Sequence, residues 1–203
     1  LYGEGGEARP MTYGELAAGG GRVAGMLRRQ GLKPAETVAL MLPTGREYFF
    51  SFLGTLMAGG IPVPIYPPAR PEQLEDHLRR HARILDNAGS VFLVTVARAR
   101  LVARLLRARV PSLRGILTLE GLGDEEPVLS PAAPGADDIA LPQYTSGSTG
   151  DPRAVVLSHA NLLATLMDKM DMPMDKVGGS TGRLPIDTLA DLGRSLATLP
   201  LRQ

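Results

Sequence analysis

The stretch TVALMLP, residues 37–43, is a short apolar run without polar alternation, and it ends at Pro43. A strand that is buried on both faces has this pattern, which is typical of a parallel sheet covered by helices. The stretches VFLVT at 91–95 and GILTLE at 115–120 predict two more strands. The segment IPVPIYPP at 61–68 predicts an edge strand or an extended segment, because its prolines cannot donate ladder hydrogen bonds.

Helical patterns separate these strands. Thr12 and Glu15 have the spacing of a capping box, and the apolar positions that follow predict a helix to about Gln30. Three consecutive glycines at 19–21 lie inside this helix, and each is expected to cost roughly 0.5–1 kcal/mol relative to Ala. Further helices are predicted at 46–60, 71–89 and 97–110.

The alternation of strands and helices predicts an α/β fold with a mostly parallel sheet flanked by helices. We expect residues 1–167 to form a partial domain and residues 168–203 to form a divergent tail with no assigned structure. The chain begins at Leu1 and not at Met, so we expect it to be a piece of a longer protein.

The overall composition excludes several classes of function. The chain has 22 Lys and Arg against 21 Asp and Glu, a net charge of +1, so it has no overall field for nucleic acid and an anion site must be local. The absence of cysteine excludes disulfides and a cysteine nucleophile, and it is compatible with a cytoplasmic location. We find no run of about 20 apolar residues, and we therefore expect no transmembrane segment.

Charged residues are unevenly distributed along the chain. Residues 79–114 contain nine Arg and a single Asp, whereas residues 120–138 contain six acids and no base. A basic helix face of this kind is compatible with RNA or a membrane surface, but a solvated face is the simpler interpretation. The acidic stretch is rich in Pro, Gly and Ser, which predicts a loop or surface linker.

The stretch TSGSTGDPR, residues 145–153, lies between two predicted strands and has the composition of a phosphate-binding loop. Hydroxyls supply donors, glycines allow a backbone that approaches an oxyanion closely, and an arginine adds a charge that pairs with phosphate. A polar hairpin or a flexible linker is the structural alternative. The candidate phosphate-binding residues are Thr145, Ser146, Gly147, Ser148, Thr149, Gly150 and Arg153.

The longer stretch YTSGSTGDPRAVVLSHANL, residues 144–162, resembles the signature of the adenylate-forming (AMP-binding) enzyme superfamily. The resemblance implies that the loop binds the β and γ phosphates of ATP with Mg²⁺. A carboxylic acid would then attack the α phosphate, which gives an acyl-adenylate and pyrophosphate. No catalytic residue is assigned, and no metal site formed by the protein itself is expected.

Within this superfamily, PIYPPARPEQLEDHLRRHARILDNAG and Gln143 look most like the fatty acyl-AMP ligases and the related acyl-CoA synthetases. This resemblance implies a long-chain fatty acid as the substrate, and either an acyl carrier protein or CoA as the acceptor. It also implies a role in fatty acid metabolism and lipid biosynthesis. The chain would be the N-terminal part of the large domain of such a ligase.

Three departures from the family pattern leave an alternative open. Arg153 stands where the family usually has Lys, and Ala154 where it usually has Gly, which restricts the backbone if the position needs a positive φ. The segment RLPIDTLADLG at 183–193 lacks the expected aromatic residue and histidine. The alternative is a non-catalytic remnant or interaction module that retains the α/β scaffold.

The three histidines are further candidate site residues. His77 and His81 are four residues apart on a predicted helix, a spacing that can bind metal, but no carboxylate completes a site and a solvated face is favoured. His159 follows Ser158 at a predicted helix start, where a capping or packing role is favoured over catalysis.

Overall fold

The computed structural model describes residues 10–68, 74–124, 126–128, 130–145 and 152–169, and it has the α/β architecture expected from the sequence. The helices are α1 (Tyr13–Arg29), α2 (Arg46–Met57), α3 (Leu74–Asn87), α4 (Arg100–Arg107) and α5 (His159–Lys169). The strands are β1 (Thr37–Met41), β2 (Ile61–Ile65), β3 (Phe92–Thr95), β4 (Gly115–Thr118), β5 (Ile139–Tyr144) and β6 (Ala154–Ser158).

Strands β1 to β4 form one parallel sheet in the order β2-β1-β3-β4. The chain passes from β1 through α2 to β2 on one side, and then through α3 back across β1 to β3 on the other. The strand order therefore reverses between β1 and β3. In its hydrogen-bonded sheet, the proline-containing β2 is an edge strand, as predicted.

Side chains alternate across the sheet and build a hydrophobic core on each face. Val38 and Leu40 of β1 pack with α1 and α2, and Ala39 and Met41 pack with α3 and α4. All four of these residues have no exposed surface. The sheet is thus covered by helices on both faces, which is the physical reason for the unbroken apolar run of residues 37–42.

Helix α1 begins with the predicted capping box. The Glu15 backbone N–H donates to Thr12 Oγ1 at 3.1 Å, and the Thr12 backbone N–H donates to Glu15 Oε2 at 2.8 Å. These reciprocal hydrogen bonds satisfy two of the donors that a helix start leaves without partners. The helix ends at Arg29, with Gln30 as its C-cap residue.

The glycines inside α1 have a packing role that the sequence pattern did not indicate. Gly19, Gly20 and Gly21 are all buried: Gly19 and Gly20 lie against α2, and Gly21 lies against Pro127 and Val128. On α2, a Cβ atom at Gly54 would lie 2.5 Å from Val23 Cβ and 2.6 Å from the Gly20 carbonyl oxygen. We call the contact of Gly20 and Val23 with Gly54 the glycine seam. Its close backbone approach offsets the propensity cost of glycine in a helix.

The acidic and proline-rich segment after β4 is a surface connection, as predicted, but it is bound to the fold. The Val128 N–H donates to the Gly21 carbonyl at 3.0 Å, and the Ala132 N–H donates to the Met57 carbonyl at 2.9 Å. Arg28 also donates to the Met57 carbonyl, at 2.9 Å. We call residues 126–132 the strap, since its described residues cross α1 and α2 before the chain reaches β5.

Candidate functional site

The candidate phosphate loop connects β5 and β6, which pair antiparallel from Ile139–Ser158 to Tyr144–Ala154. Beyond the last strand pair, the Thr145 N–H donates to the Arg153 carbonyl at 3.0 Å. The Thr145 hydroxyl lies 3.4 Å from the same carbonyl oxygen. The two ends of the stretch TSGSTGDPR are therefore joined by a hairpin closure, as the placement between two strands predicted.

Only Thr145 and Arg153 of the seven predicted phosphate-binding residues can be placed. Arg153 is exposed, so its guanidinium is accessible from solvent. Ser146, Gly147, Ser148, Thr149 and Gly150 lie outside the described residues. The assignment of all seven residues to phosphate binding stays a prediction.

Ala154 does not have the backbone conformation that would make its methyl group costly. It is the first residue of β6 and pairs with Tyr144. Among the described residues other than glycine, positive φ is found at Ala35 and not at Ala154. An alanine at this position is accommodated without backbone strain, so its departure from the family pattern does not disturb the hairpin.

Tyr144 anchors the strand that enters the loop. Its ring packs against the hydrophobic core on the α3 side, and its hydroxyl donates a 2.7 Å hydrogen bond to Asn87 Oδ1. Burial raises the pKa of the Tyr144 hydroxyl to about 12, because the charged phenolate is poorly solvated there. The tyrosine is therefore a neutral, hydrogen-bonded anchor one residue before Thr145.

The exit from the hairpin is also fixed by side-chain hydrogen bonds. Ser158 caps α5, since the Asn161 N–H donates to its hydroxyl at 3.3 Å and the Ser158 N–H donates to Asn161 Oδ1 at 3.1 Å. The His159 N–H donates to the Asp138 carbonyl at 3.0 Å. Burial lowers the pKa of the His159 imidazole, with Asp138 opposing this effect. These contacts fit the predicted capping by Ser158 and the packing role favoured for His159.

A second concave feature lies at the carboxyl ends of the parallel strands. It is an open cavity of about 230 Å³. The crevice where strand order reverses, here between β1 and β3, is where ligands commonly bind in open α/β sheets. This cavity is not among the sites predicted from the sequence, although the order of strands and helices indicates a crevice at this place. The lining residues are Leu42, Glu47, Thr95, Val96, Ala97, Thr118, Leu119 and Glu120.

The solvated face expected for His77 and His81 is wrong. His77 is 7% exposed and His81 has no exposed surface, because both face the core side of α3 and lie against Tyr66. Burial lowers the pKa of His77, and it lowers the pKa of His81 to about 4. Both rings are thus neutral at neutral pH.

No helix within the described ranges combines the length and the hydropathy that a membrane crossing requires. The Arg residues of α4 are exposed, as expected for a solvated face: Arg100, Arg104 and Arg107 lie on the outer side of the helix, while Ala103 and Leu106 are buried. The exposed position of these arginines does not by itself identify a ligand.

Comparisons with known proteins agree with this architecture. The chain is 30% identical to the long-chain-fatty-acid–AMP ligase FadD32 of Mycolicibacterium smegmatis over 198 residues. This match covers 96% of this chain and 30% of FadD32. The structure of this chain is similar to that of the fatty acyl-adenylate ligase from L. pneumophila in complex with acyl adenylate and pyrophosphate. The TM-score is 0.64 at 31% identity, over 83% of this chain and 29% of the ligase.

A third similar protein is ATP-bound MatB from Rhodopseudomonas palustris. Its TM-score is 0.67 at 27% identity, over 81% of this chain and 33% of MatB. The chain spans about 30% of the length of its relative FadD32. The family described as AMP-binding enzyme matches residues 1–195, which is nearly the whole chain. From the α/β fold, the hairpin after Tyr144 and this match, we conclude that the chain belongs to the AMP-binding enzyme family.

Proposed function

We propose that this chain is the ATP-phosphate-binding part of a ligase that activates a long-chain fatty acid. In this reaction a carboxylate oxygen of the acid attacks the α phosphate of ATP. The bond from the α phosphorus to the bridging oxygen breaks, and acyl-adenylate and pyrophosphate form. Enzymes promote such steps by positioning and by electrostatic stabilisation. The observation that carries the proposal is the hydrogen bond between Thr145 and Arg153, which closes the hydroxyl-rich loop.

The proposed phosphate ligands follow from the chemistry of the loop. Donors at Thr145, Ser146, Ser148 and Thr149 would bind phosphate oxygens, and the glycines at 147 and 150 would let backbone N–H groups approach them. The Arg153 guanidinium would balance the charge that develops on the leaving pyrophosphate. A guanidinium is planar and offers several donors, so it can replace the lysine that is usual in the family at this position.

Magnesium would enter this site together with ATP. No group of three or more His, Cys, Asp or Glu side chains comes together among the described residues, so the part of the chain seen here does not form a metal cage. Mg²⁺ commonly keeps several water ligands and is held through substrate phosphates and a few protein oxygens. Hydroxyl oxygens of the loop fit this chemistry. When bound, the ion would neutralise charge on the β and γ phosphates.

The acid and the acceptor are proposed from relatives. FadD32 is named a long-chain-fatty-acid–AMP ligase, and the L. pneumophila ligase was solved with acyl adenylate. For this protein we likewise propose a long-chain fatty acid as the substrate and an acyl carrier protein or CoA as the acceptor. Its role would be in lipid biosynthesis. The absence of cysteine from the 203 residues is compatible with the reducing cytoplasm.

Calorimetric titration of the chain with Mg-ATP tests the loop directly. We expect saturable binding that is lost in Arg153→Ala and kept in Arg153→Lys, since lysine retains the positive charge. The matched control is Arg104→Ala, which removes another exposed arginine far along the sequence from the hairpin. Absence of binding by the unaltered chain would instead support the non-catalytic module.

The acid specificity requires the longer protein that contains this chain. Exchange of labelled pyrophosphate into ATP is expected to depend on a long-chain fatty acid. A short aromatic acid serves as the comparison substrate. If the exchange occurs with the aromatic acid alone, adenylate formation is supported but the proposed specificity for fatty acids is wrong. If no acid supports the exchange, the ligase function is wrong.

A further inference from the structure

Helix α4 has an outer face that combines exposed leucines with exposed arginines. Leu101 is 69% exposed and Leu105 is 40% exposed. These two leucines are one helical turn apart, so they lie on the same side of the helix. Arg100, Arg104 and Arg107 are exposed as well, and their spacing of three and four residues places them in a row beside the leucines. The solvent side of α4 is therefore divided into an apolar row and a basic row.

The charge on this face is of one sign. Residues 90–119 contain no Asp or Glu. Within the described ranges, Arg100, Arg104 and Arg107 make no ion pair and no hydrogen bond through their side chains. A surface that only has to stay in solution usually mixes charges of both signs. Uncompensated arginines beside exposed leucines instead favour an anionic partner that also has an apolar part.

The size of the face distinguishes a membrane from a protein as this partner. Helix α4 has 8 residues, which corresponds to a length of about 12 Å, whereas a stable protein interface usually takes about 20–30 residues from each side. The neighbouring α3 exposes Glu75, Asp76 and Asp86, which would repel an acidic protein that covered both helices. A lipid surface needs no matching shape, and it offers phosphates to the arginines and an apolar boundary to the leucines.

We propose that this face of α4, formed by Arg100, Leu101, Arg104, Leu105 and Arg107, docks onto an anionic phospholipid bilayer. The leucines enter the boundary between head groups and acyl chains, and the guanidinium groups bind lipid phosphates. Attachment is reversible, because two turns of helix bury little apolar surface. Docking would bring the ligase to the phase in which long-chain fatty acids dissolve, and this consequence alone rests on the proposed function.

Sedimentation with sucrose-loaded vesicles tests the docking of the full 203-residue chain. We expect binding to vesicles of phosphatidylglycerol and phosphatidylcholine in equal parts, weakened by salt, and little binding to phosphatidylcholine alone. Arg104→Gln should weaken the binding about fivefold, the usual contribution of one basic residue at an anionic surface. The matched control is Arg29→Gln, at an exposed arginine of α1 on the other face of the sheet, and it should bind as the unaltered chain does.

The leucines can be tested at constant charge. Leu101→Ser should weaken vesicle binding at least about threefold, because it removes apolar surface from the lipid boundary. Leu166→Ser, at a leucine of α5 that is 50% exposed, should not. The chain has no tryptophan, so Leu101→Trp introduces a single fluorescent probe. Its emission should shift to the blue on the anionic vesicles and be quenched by lipids with brominated acyl chains, whereas the emission of Leu166→Trp should do neither.

Several outcomes would overturn the proposal. They are absence of binding to the anionic vesicles, equal binding to both kinds of vesicle, equal losses in the α4 variants and their controls, and unshifted emission of Leu101→Trp. Tighter binding to RNA or to an acidic peptide than to the vesicles would also overturn it. The longer protein that contains this chain should sediment in the same way, and if it does not, its other parts cover the face and the proposal is wrong. Because no nucleotide is present, these outcomes are independent of the proposed ATP binding.

Discussion

The Tyr144 hydroxyl donates a 2.7 Å hydrogen bond to Asn87 Oδ1, and this contact joins the last residue of β5 to the last residue of α3. The two residues are 57 positions apart in the chain. The hairpin that carries the phosphate loop is thereby attached to the helical layer of the parallel sheet. The residue that enters the loop is therefore held in place by the end of α3 as well as by the strand pairing of the hairpin.

Removing either partner of this contact is expected to destabilise the fold. Tyr144→Phe and Asn87→Ala should each lower the free energy of unfolding by about 0.5–1.5 kcal/mol, the usual net value of one hydrogen bond. The double variant should lose less than the sum of the two, since both remove the same interaction. Urea unfolding measures all three. Tyr13→Phe, at a tyrosine that is 77% exposed, is the control.

The half-buried Tyr144 side chain predicts alkaline sensitivity. Its pKa rises from 10.0 to about 12 in the folded chain, so the unfolded state loses this proton first as the pH rises. The contribution of Tyr144 to stability is therefore complete below about pH 10 and is lost between about pH 10 and 12. Burial also raises the pKa of Tyr48, so the phenolate absorbance of Tyr144→Phe should lack one late-titrating tyrosine relative to the unaltered chain. If the two titration curves coincide, the hydroxyl is not buried.

The glycine seam predicts a large effect from one added methyl group. In Gly54→Ala, the new Cβ would meet Val23 and the Gly20 carbonyl on the facing helix. Overpacking of this kind typically costs 1–3 kcal/mol, so thermal unfolding should move to a clearly lower temperature. Gly14→Ala is the matched control, because the nearest atom to its Cβ would be Thr12 Oγ1 at 3.9 Å. An equal effect in both variants would refute the seam.

Ala35 offers the opposite substitution. Its φ is 61°, in the left-handed region, and its N–H donates to the Gly59 carbonyl at 2.8 Å. A residue with a Cβ is destabilised by about 1–2 kcal/mol in this region. Glycine has no such strain, but the greater entropy of its unfolded chain cancels part of the gain. Ala35→Gly should therefore stabilise the protein by about 0.5–1 kcal/mol. A lower melting temperature for this variant would contradict the assignment of strain.

Local sequence signals predicted most of the elements. The apolar run at 37–42 indicated a strand buried on both faces, the Thr12 and Glu15 pair indicated the start of α1, and Ser158 indicated the start of α5. Each of these depends on residues close in the chain, so periodicity and capping chemistry suffice to find them. The hairpin was predicted in the same way, from a polar loop between two apolar strands.

What the sequence did not predict depends on contacts between distant segments. The glycines of α1 were expected to weaken a helix, but Gly19 and Gly20 allow close packing against α2, and Gly21 allows close packing against Pro127 and Val128. The histidines of α3 were expected in solvent, and their burial depends on Tyr66 and the sheet. The left-handed backbone of Ala35 occurs together with a hydrogen bond to Gly59, in a later segment of the chain. Pairwise geometry of this kind leaves no local pattern in a single sequence.

The strap has a consequence for the order in which the chain folds. Its described residues form no helix or strand, and Val128 and Ala132 take their hydrogen-bond partners from Gly21 and Met57. A segment of this kind has no docking surface until the first two helices have associated. We therefore expect α1 and α2 to associate before the strap binds to them and before the β5–β6 hairpin reaches its final position. During synthesis this order agrees with the direction of translation, so each part emerges after its template.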